Sequence, residues 1–91
     1  MINKVNNKVL SSKIGNEAVL MCMEAESYYG LDPVGSRIWE LLTESPKTVE
    51  EIIDVLLQEY EVDQETCSRD VHSFIDEMIS RKLILNESIA A

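Results

Sequence analysis

Tyr28-Tyr29-Gly30-Leu31-Asp32-Pro33-Val34-Gly35-Ser36-Arg37-Ile38-Trp39-Glu40-Leu41-Leu42 passes from one backbone period to another within two residues. Tyr28 to Leu31 has the aromatic and apolar bulk of a short strand. Asp32-Pro33 then pairs a carboxylate able to cap a helix with a proline whose fixed φ suits the first helical position. Val34, Ile38, Leu41 and Leu42 come next at helical spacing, with Trp39 beside them, and Ser45-Pro46 stops the run. The chain before this junction reads as sheet, and the chain after it reads as helix.

Upstream, Val5 to Ser12 is a candidate strand, with the turn signal Gly15-Asn16 after it. Glu17 to Met23 is apolar on both alternating faces, the pattern of a central or well-covered strand. Glu24 to Ser27 supplies polar residues for a second turn, so the three strands are expected to form an antiparallel meander. Such a sheet is marginal alone and needs helices on one face. Downstream, Thr48-Val49-Glu50-Glu51 spells a capping box, in which Thr and Glu satisfy each other's orphan N–H groups. Val49, Ile52, Ile53, Leu56, Leu57 and Tyr60 give that second helix an apolar stripe. Asp63 caps a third helix running to about Lys82. The expected order is β-β-β-α-α-α, an α+β fold in a single domain over residues 1–91 with an ordered core of about 5–85. Trp39, Ile52, Leu56 and Tyr60 are expected in its core.

The third helix carries more apolar surface than one core contact needs. At about 100° per residue, Phe74, Cys67, Met78, Val71, Ile75 and Ile79 sweep an arc of about 140°, against about 100° for an ordinary core-facing stripe. Asp70 and Glu77 border one edge of that arc. Packing against both neighbouring helices and the sheet accounts for such a face. So does a division of labour in which one flank is core and the other lines a groove beside the sheet.

Composition narrows the chemistry. The 91 residues carry a net charge of −9, unevenly spread. Lys4, Lys8 and Lys13 precede any acid, whereas all 17 acids lie from Glu17 onward, where the bases are Arg37, Lys47, Arg69, Arg81 and Lys82. Phosphate recognition needs clustered bases, so no nucleic-acid partner is expected. Cys22 and Cys67 form no Cys-x-x-Cys pair and read as small apolar residues. With His72 the sole histidine, no zinc cluster can be assembled at ordinary spacing, and no metal site is expected. Gly15, Gly30 and Gly35 are too scattered for a phosphate-binding loop. No nucleophile stands beside a marked base, so no catalytic residues and no cofactor are expected. No run is apolar enough to span a bilayer and no export signal begins the chain, so the expected location is the cytoplasm, without membrane contact.

The segment Tyr29 to Leu42 resembles the PqqD-like family, the recognition elements of ribosomal peptide natural-product pathways. In that family a third strand ends in Leu-Asn/Asp, a short helix start succeeds it, and an Ile-Trp-x-Leu-Leu helix comes next. Thr48 to Ile52, Glu59 to Asp63 and Asp70 to Met78 are similar to the family's later segments, and Lys82-Leu83-Ile84 closes the resemblance, which covers about residues 5 to 85. Asp32-Pro33 and the stand-alone length look most like the leader-binding proteins of lasso-peptide biosynthesis. Peptide chaperones of pyrroloquinoline quinone biosynthesis are the nearest alternative, and a winged-helix regulatory or adaptor domain comes after them.

The resemblance implies a winged-helix-like fold, a three-stranded antiparallel sheet on a three-helix bundle. It implies that the leader segment of a precursor peptide adds as a further strand along the third strand, in the groove against the third helix. The partners it implies are that leader, a separate leader peptidase and a separate cyclase. Carried over residue by residue, the strand edge is Tyr28, Tyr29, Gly30 and Leu31, and the groove wall is Cys67, Asp70, Val71, Phe74 and Met78. Strand addition draws affinity from main-chain hydrogen bonds and specificity from side-chain pockets. Leu31 suits core packing as well as it suits the groove. Asp70 and Glu77 are placed to receive a basic leader residue. An unoccupied edge can also pair with a second copy of the chain, giving a homodimer.

Overall fold

The computed structural model describes residues 2–23 and 26–87. Its elements are β1 (Ile2–Val5), β2 (Val9–Ile14), β3 (Glu17–Cys22), β4 (Ser27–Leu31), α1 (Pro33–Glu44), α2 (Val49–Glu59), α3 (Gln64–Ser80) and β5 (Ile84–Glu87). The expected α+β architecture is present: β2, β3 and β4 form an antiparallel sheet in that order, and three helices come after it. Gly15 makes the β2–β3 turn with a φ of +64°, a conformation that glycine adopts without steric penalty. Of the expected second turn, Glu24 and Ala25 lie outside the described residues.

The N-terminal reading needs correction. Val5 to Ser12 is not one strand, because Asn6 breaks it. The Asn6 Oδ1 accepts from Lys8 N at 2.9 Å and its carbonyl accepts from Val9 N at 3.0 Å, a side-chain-assisted turn. Asn6 also donates through Nδ2 to the Lys82 carbonyl at 2.8 Å and through its backbone N–H to the Leu83 carbonyl at 3.0 Å. The turn is thereby bolted to the end of α3. Before it, β1 pairs antiparallel with β5, from Ile2 opposite Glu87 to Val5 opposite Ile84. Sequence reading missed this second, two-stranded sheet because its partners stand at opposite ends of the chain. Asn3, buried, holds β1 to the loop before α2 by exchanging backbone hydrogen bonds with Lys47 at 2.8 and 3.0 Å.

The helix boundaries are set by their caps. The Asp32 carboxylate accepts from Gly35 N at 2.7 Å with Pro33 at the first helical position. Thr48 and Glu51 form the full capping box, at 3.2 and 2.9 Å. Asp63 accepts from Thr66 N at 3.0 Å. α3 stops at Ser80, and Lys82 turns the chain with a φ of +61°.

Alternation fixes which sheet face meets the helices. Ala18, Leu20 and Cys22 of β3 are buried, and the register sets Leu31 opposite Ala18 and Tyr29 opposite Leu20 on the same face. That face packs with Ile38, Trp39 and Leu42 of α1, Ile52 and Leu56 of α2, and Val71, Ile75 and Met78 of α3. The core is completed by Leu83 and Ile84 beyond α3. Trp39, Ile52 and Leu56 are core as expected, but Tyr60 is 38% exposed, because α2 ends at Glu59 and leaves it at the rim. Arg37 links α1 to the end of α2, donating to Glu59 through Nε at 2.8 Å and Nη2 at 2.6 Å, and it also pairs with Glu40.

Candidate functional site

β2 and β4 are the two edges of the three-stranded sheet, so among the described residues the outer edge of β4 has no strand partner. The four edge residues divide by face. Tyr29 and Leu31 turn toward the helices, whereas Tyr28 and Gly30 turn away with Met21 and Val19, which they oppose. Leu31 is buried, its side chain packed in the core while its backbone remains on the β4 edge. A Cβ on Gly30 would meet nothing within 4 Å, so no contact inside the chain requires glycine there.

Tyr29 ties β4 to the last turn of α3. The Arg81 guanidinium lies over its ring, 4.6 Å from the centroid, and Arg81 pairs with Glu77 at 3.4 Å. Burial, reinforced by Glu77, raises the phenol above its ordinary pKa of 10.0 and keeps it a neutral hydrogen-bonding group.

Beside the junction of β4 and α1, a pocket of about 390 Å³ opens between the three helices. α3 contributes Cys67, Asp70, Val71, Phe74 and Glu77, while Asp32, Val34, Gly35 and Ile38 come from the start of α1 and Leu56, Tyr60 and Val62 from the end of α2 and the loop after it. Of the expected groove wall, Cys67, Asp70, Val71 and Phe74 are therefore brought together. Met78 is not: wholly buried, it belongs to the core. The pocket takes the flank of α3 bordered by Asp70 and Glu77, while Ile75 and Met78 face inward. One arc thus serves as core on one side and pocket on the other.

Phe74 is positioned by an absence. A Cβ on Gly35 would stand 2.9 Å from Phe74 Cε1 and 3.1 Å from Asp32 Oδ1, so only glycine lets the ring settle against the first turn of α1. The α1 and α2 contributions were not foreseen. Val34, which its spacing sets on the stripe of Ile38 and Leu41, is exposed at the pocket, and the glycine inside a helix start was the sequence signal that pointed there. The floor is apolar and no Lys or Arg lines the pocket, whereas Asp32, Asp70 and Glu77 do. Cys67 is a buried free thiol, pushed up in pKa by burial first and by Asp70 and Asp63 second, which keeps it unreactive. Among the described residues no group of three or more His, Cys, Asp or Glu could hold a metal ion, and no helix is long and apolar enough to cross a membrane.

Residues 17–84 match the family model described as coenzyme PQQ synthesis protein D (PqqD). TbiB1, solved in complex with the TbiA(beta) leader peptide, is 40% identical with a TM-score of 0.86, covering 94% of this chain and 99% of that one. A lasso peptide synthetase B1 complexed with its leader peptide superposes with a TM-score of 0.80 at 17% identity, over 92% of this chain and 98% of that one, a likeness of fold. A search of curated proteins finds no match.

Proposed function

The chain belongs to the PqqD family, and from that premise we propose that it binds the leader segment of a ribosomally made precursor peptide and presents it to separate maturation enzymes, a leader peptidase and a cyclase, in lasso-peptide biosynthesis. The observation that carries this reading is the unpartnered edge of β4, which ends one residue before Asp32. Asp32 stands at the mouth of an acid-rimmed pocket between α1, α2 and α3 that holds no β4 residue itself. Likeness to TbiB1 along nearly the whole chain supports a leader peptide as the occupant.

In this reading the leader adds as a strand beside Tyr28 to Leu31, drawing affinity from main-chain hydrogen bonds. An anchoring side chain enters the pocket over Cys67, Val71 and Phe74. Asp70 and Glu77 receive basic leader residues, each such rim pair contributing under about 1 kcal/mol. The protein binds without catalysing, in the cytoplasm. The fold is then winged-helix-like, yet a DNA-reading role for α3 is disfavoured by Asp70, Asp76 and Glu77 along it.

The test is titration of a labelled leader peptide, the TbiA(beta) leader that TbiB1 binds, into the purified protein. Saturable binding at micromolar or tighter affinity is expected, and Phe74→Asp should abolish it while circular dichroism remains that of the folded protein. A folded wild-type protein that does not bind this leader overturns the lasso assignment.

A further inference from the structure

Arg81 stands where a guest side chain has to go. Tyr29 and Leu31 face the helices, so a strand added to the open edge of β4 sets every second side chain on that same face. The guest residue opposite Tyr29 would have its Cβ about 5 Å from the Tyr29 Cβ, against the ring. That neighbourhood is already taken by the chain itself. The Arg81 guanidinium lies over the Tyr29 ring, 4.6 Å from its centroid, and its Nη2 reaches Glu77 Oε1 at 3.4 Å. The Tyr29 phenol, raised by burial first and by Glu77 second, marks the carboxylate and the ring as close neighbours.

The sign of the charges gives this contact its meaning. Asp32, Asp70 and Glu77 line the pocket and no Lys or Arg does. Among the described residues, Glu77 is the one of these three acids in an ion pair, and its base comes from one helical turn further along the same helix. The hold is weak. Both partners are about half exposed, at 53% and 49%, a setting in which such pairs add little. The Arg81 backbone is fixed independently, because its N–H donates to the Glu77 carbonyl at 3.0 Å as α3 ends. The side chain can therefore leave without unwinding the helix. A cation on the ring and against the carboxylate is also what a basic guest residue would present to the same two groups.

We propose that Arg81 is an internal stand-in for a basic residue of the bound peptide, occupying Tyr29 and Glu77 until a guest Lys or Arg opposite Tyr29 displaces it. The inference rests on the leader-binding reading and adds to it a residue that decides which guests bind. A guest base recovers the contacts that Arg81 gives up. An uncharged guest residue displaces Arg81 without replacing it and leaves Glu77 unpaired.

The probes are the TbiA(beta) leader and variants of it carrying lysine, glutamine or glutamate in turn at each position. They are titrated into wild type, Arg81→Gln, Glu77→Gln and the double variant, at low salt and in about 1 M salt, where charges are screened within about 3 Å. In wild type, lysine at one position should bind about threefold tighter than glutamine. Arg81→Gln should tighten that lysine peptide about threefold further, at low salt only, and the gain should vanish in the Glu77→Gln background. Both side chains are exposed, so the variants should fold, as thermal melts would verify. A gain that persists without Glu77 is simple charge repulsion and overturns the proposal. Unchanged affinities in Arg81→Gln make Arg81 a bystander and overturn it too. Weaker binding in Arg81→Gln, most of all for a glutamate peptide, overturns it by making Arg81 itself the contact. In each of these cases leader binding by the wild type stands. Wild-type protein that binds no leader overturns the leader reading and this one with it.

Discussion

Gly35 sits where a side chain would do harm to the site while doing little to the helix. Alanine is a better helix former by up to about 1 kcal/mol, which offsets part of the cost of crowding Phe74. Because Phe74 is only half-buried, its ring can swing out to make room. Gly35→Ala should therefore keep the thermal midpoint within a few degrees of wild type by calorimetry, yet weaken leader binding about tenfold by titration. Unchanged affinity would show that the seat of Phe74 is not part of the site. At this scale the sequence was informative in part. Phe74 and Asp70 could be named from the family resemblance, since the breadth of the apolar arc on α3 left core packing and a groove both open. Gly35 and Val34 were not named, because Val34 reads as a continuation of the α1 core stripe and a lone glycine in a helix start does not say which ring it accommodates. Tyr60 was misassigned for a related reason, since it continues the stripe of α2 one residue past the point where the helix ends.

Elements were legible wherever a local rule fixes them. Asp32-Pro33, Thr48 with Glu51, and Asp63 each satisfy backbone N–H groups of the first turn, and the three helices begin where those residues stand. The box at Thr48 gives a direct test. Thr48→Ala should lower stability by about 1 kcal/mol in urea denaturation, with an unchanged m-value. A loss within error of zero would mean that packing of Ile52 and Leu56 alone fixes the start of α2. β1 and β5 were not legible, because their pairing is decided by residues some eighty positions apart and Ile2 to Val5 is too short to announce a strand. Asn6-Asn7 was the available signal, a turn dipeptide inside what otherwise looks like one run.

Across the whole molecule, charge sets the response to acid. Glu40 is held below the ordinary carboxylate pKa of 4.5 chiefly by Lys13, Glu51 by Thr48 and Glu59 by Arg37. Asp63 is held below 3.8 by Thr66. Each of these groups binds its proton less tightly in the folded chain than in the unfolded one. Their contribution is therefore present above the ordinary values and is lost as pH falls through the lowered ones. The thermal midpoint should stay nearly level from neutral pH to about 5 and decline below about 4.5, as a calorimetric pH series would reveal. A midpoint that rises on acidification would mean that relief of self-repulsion in a chain of net charge −9 outweighs those pairings.

The pairing of β1 with β5 also bears on how the protein comes into being. Leu83 and Ile84 are buried in the same core as Leu20 and Ile38, so the last stretch of described chain is structural filling rather than a tail. On a ribosome, which releases chain at about 5–20 residues per second, the sheet and all three helices emerge before those side chains do. Until then β1 has no strand to join and the core stands open at one end. Closure of the core waits for Leu83 and Ile84 to emerge, so a nascent chain stalled before Leu83 holds the sheet and three helices around a core that is still open.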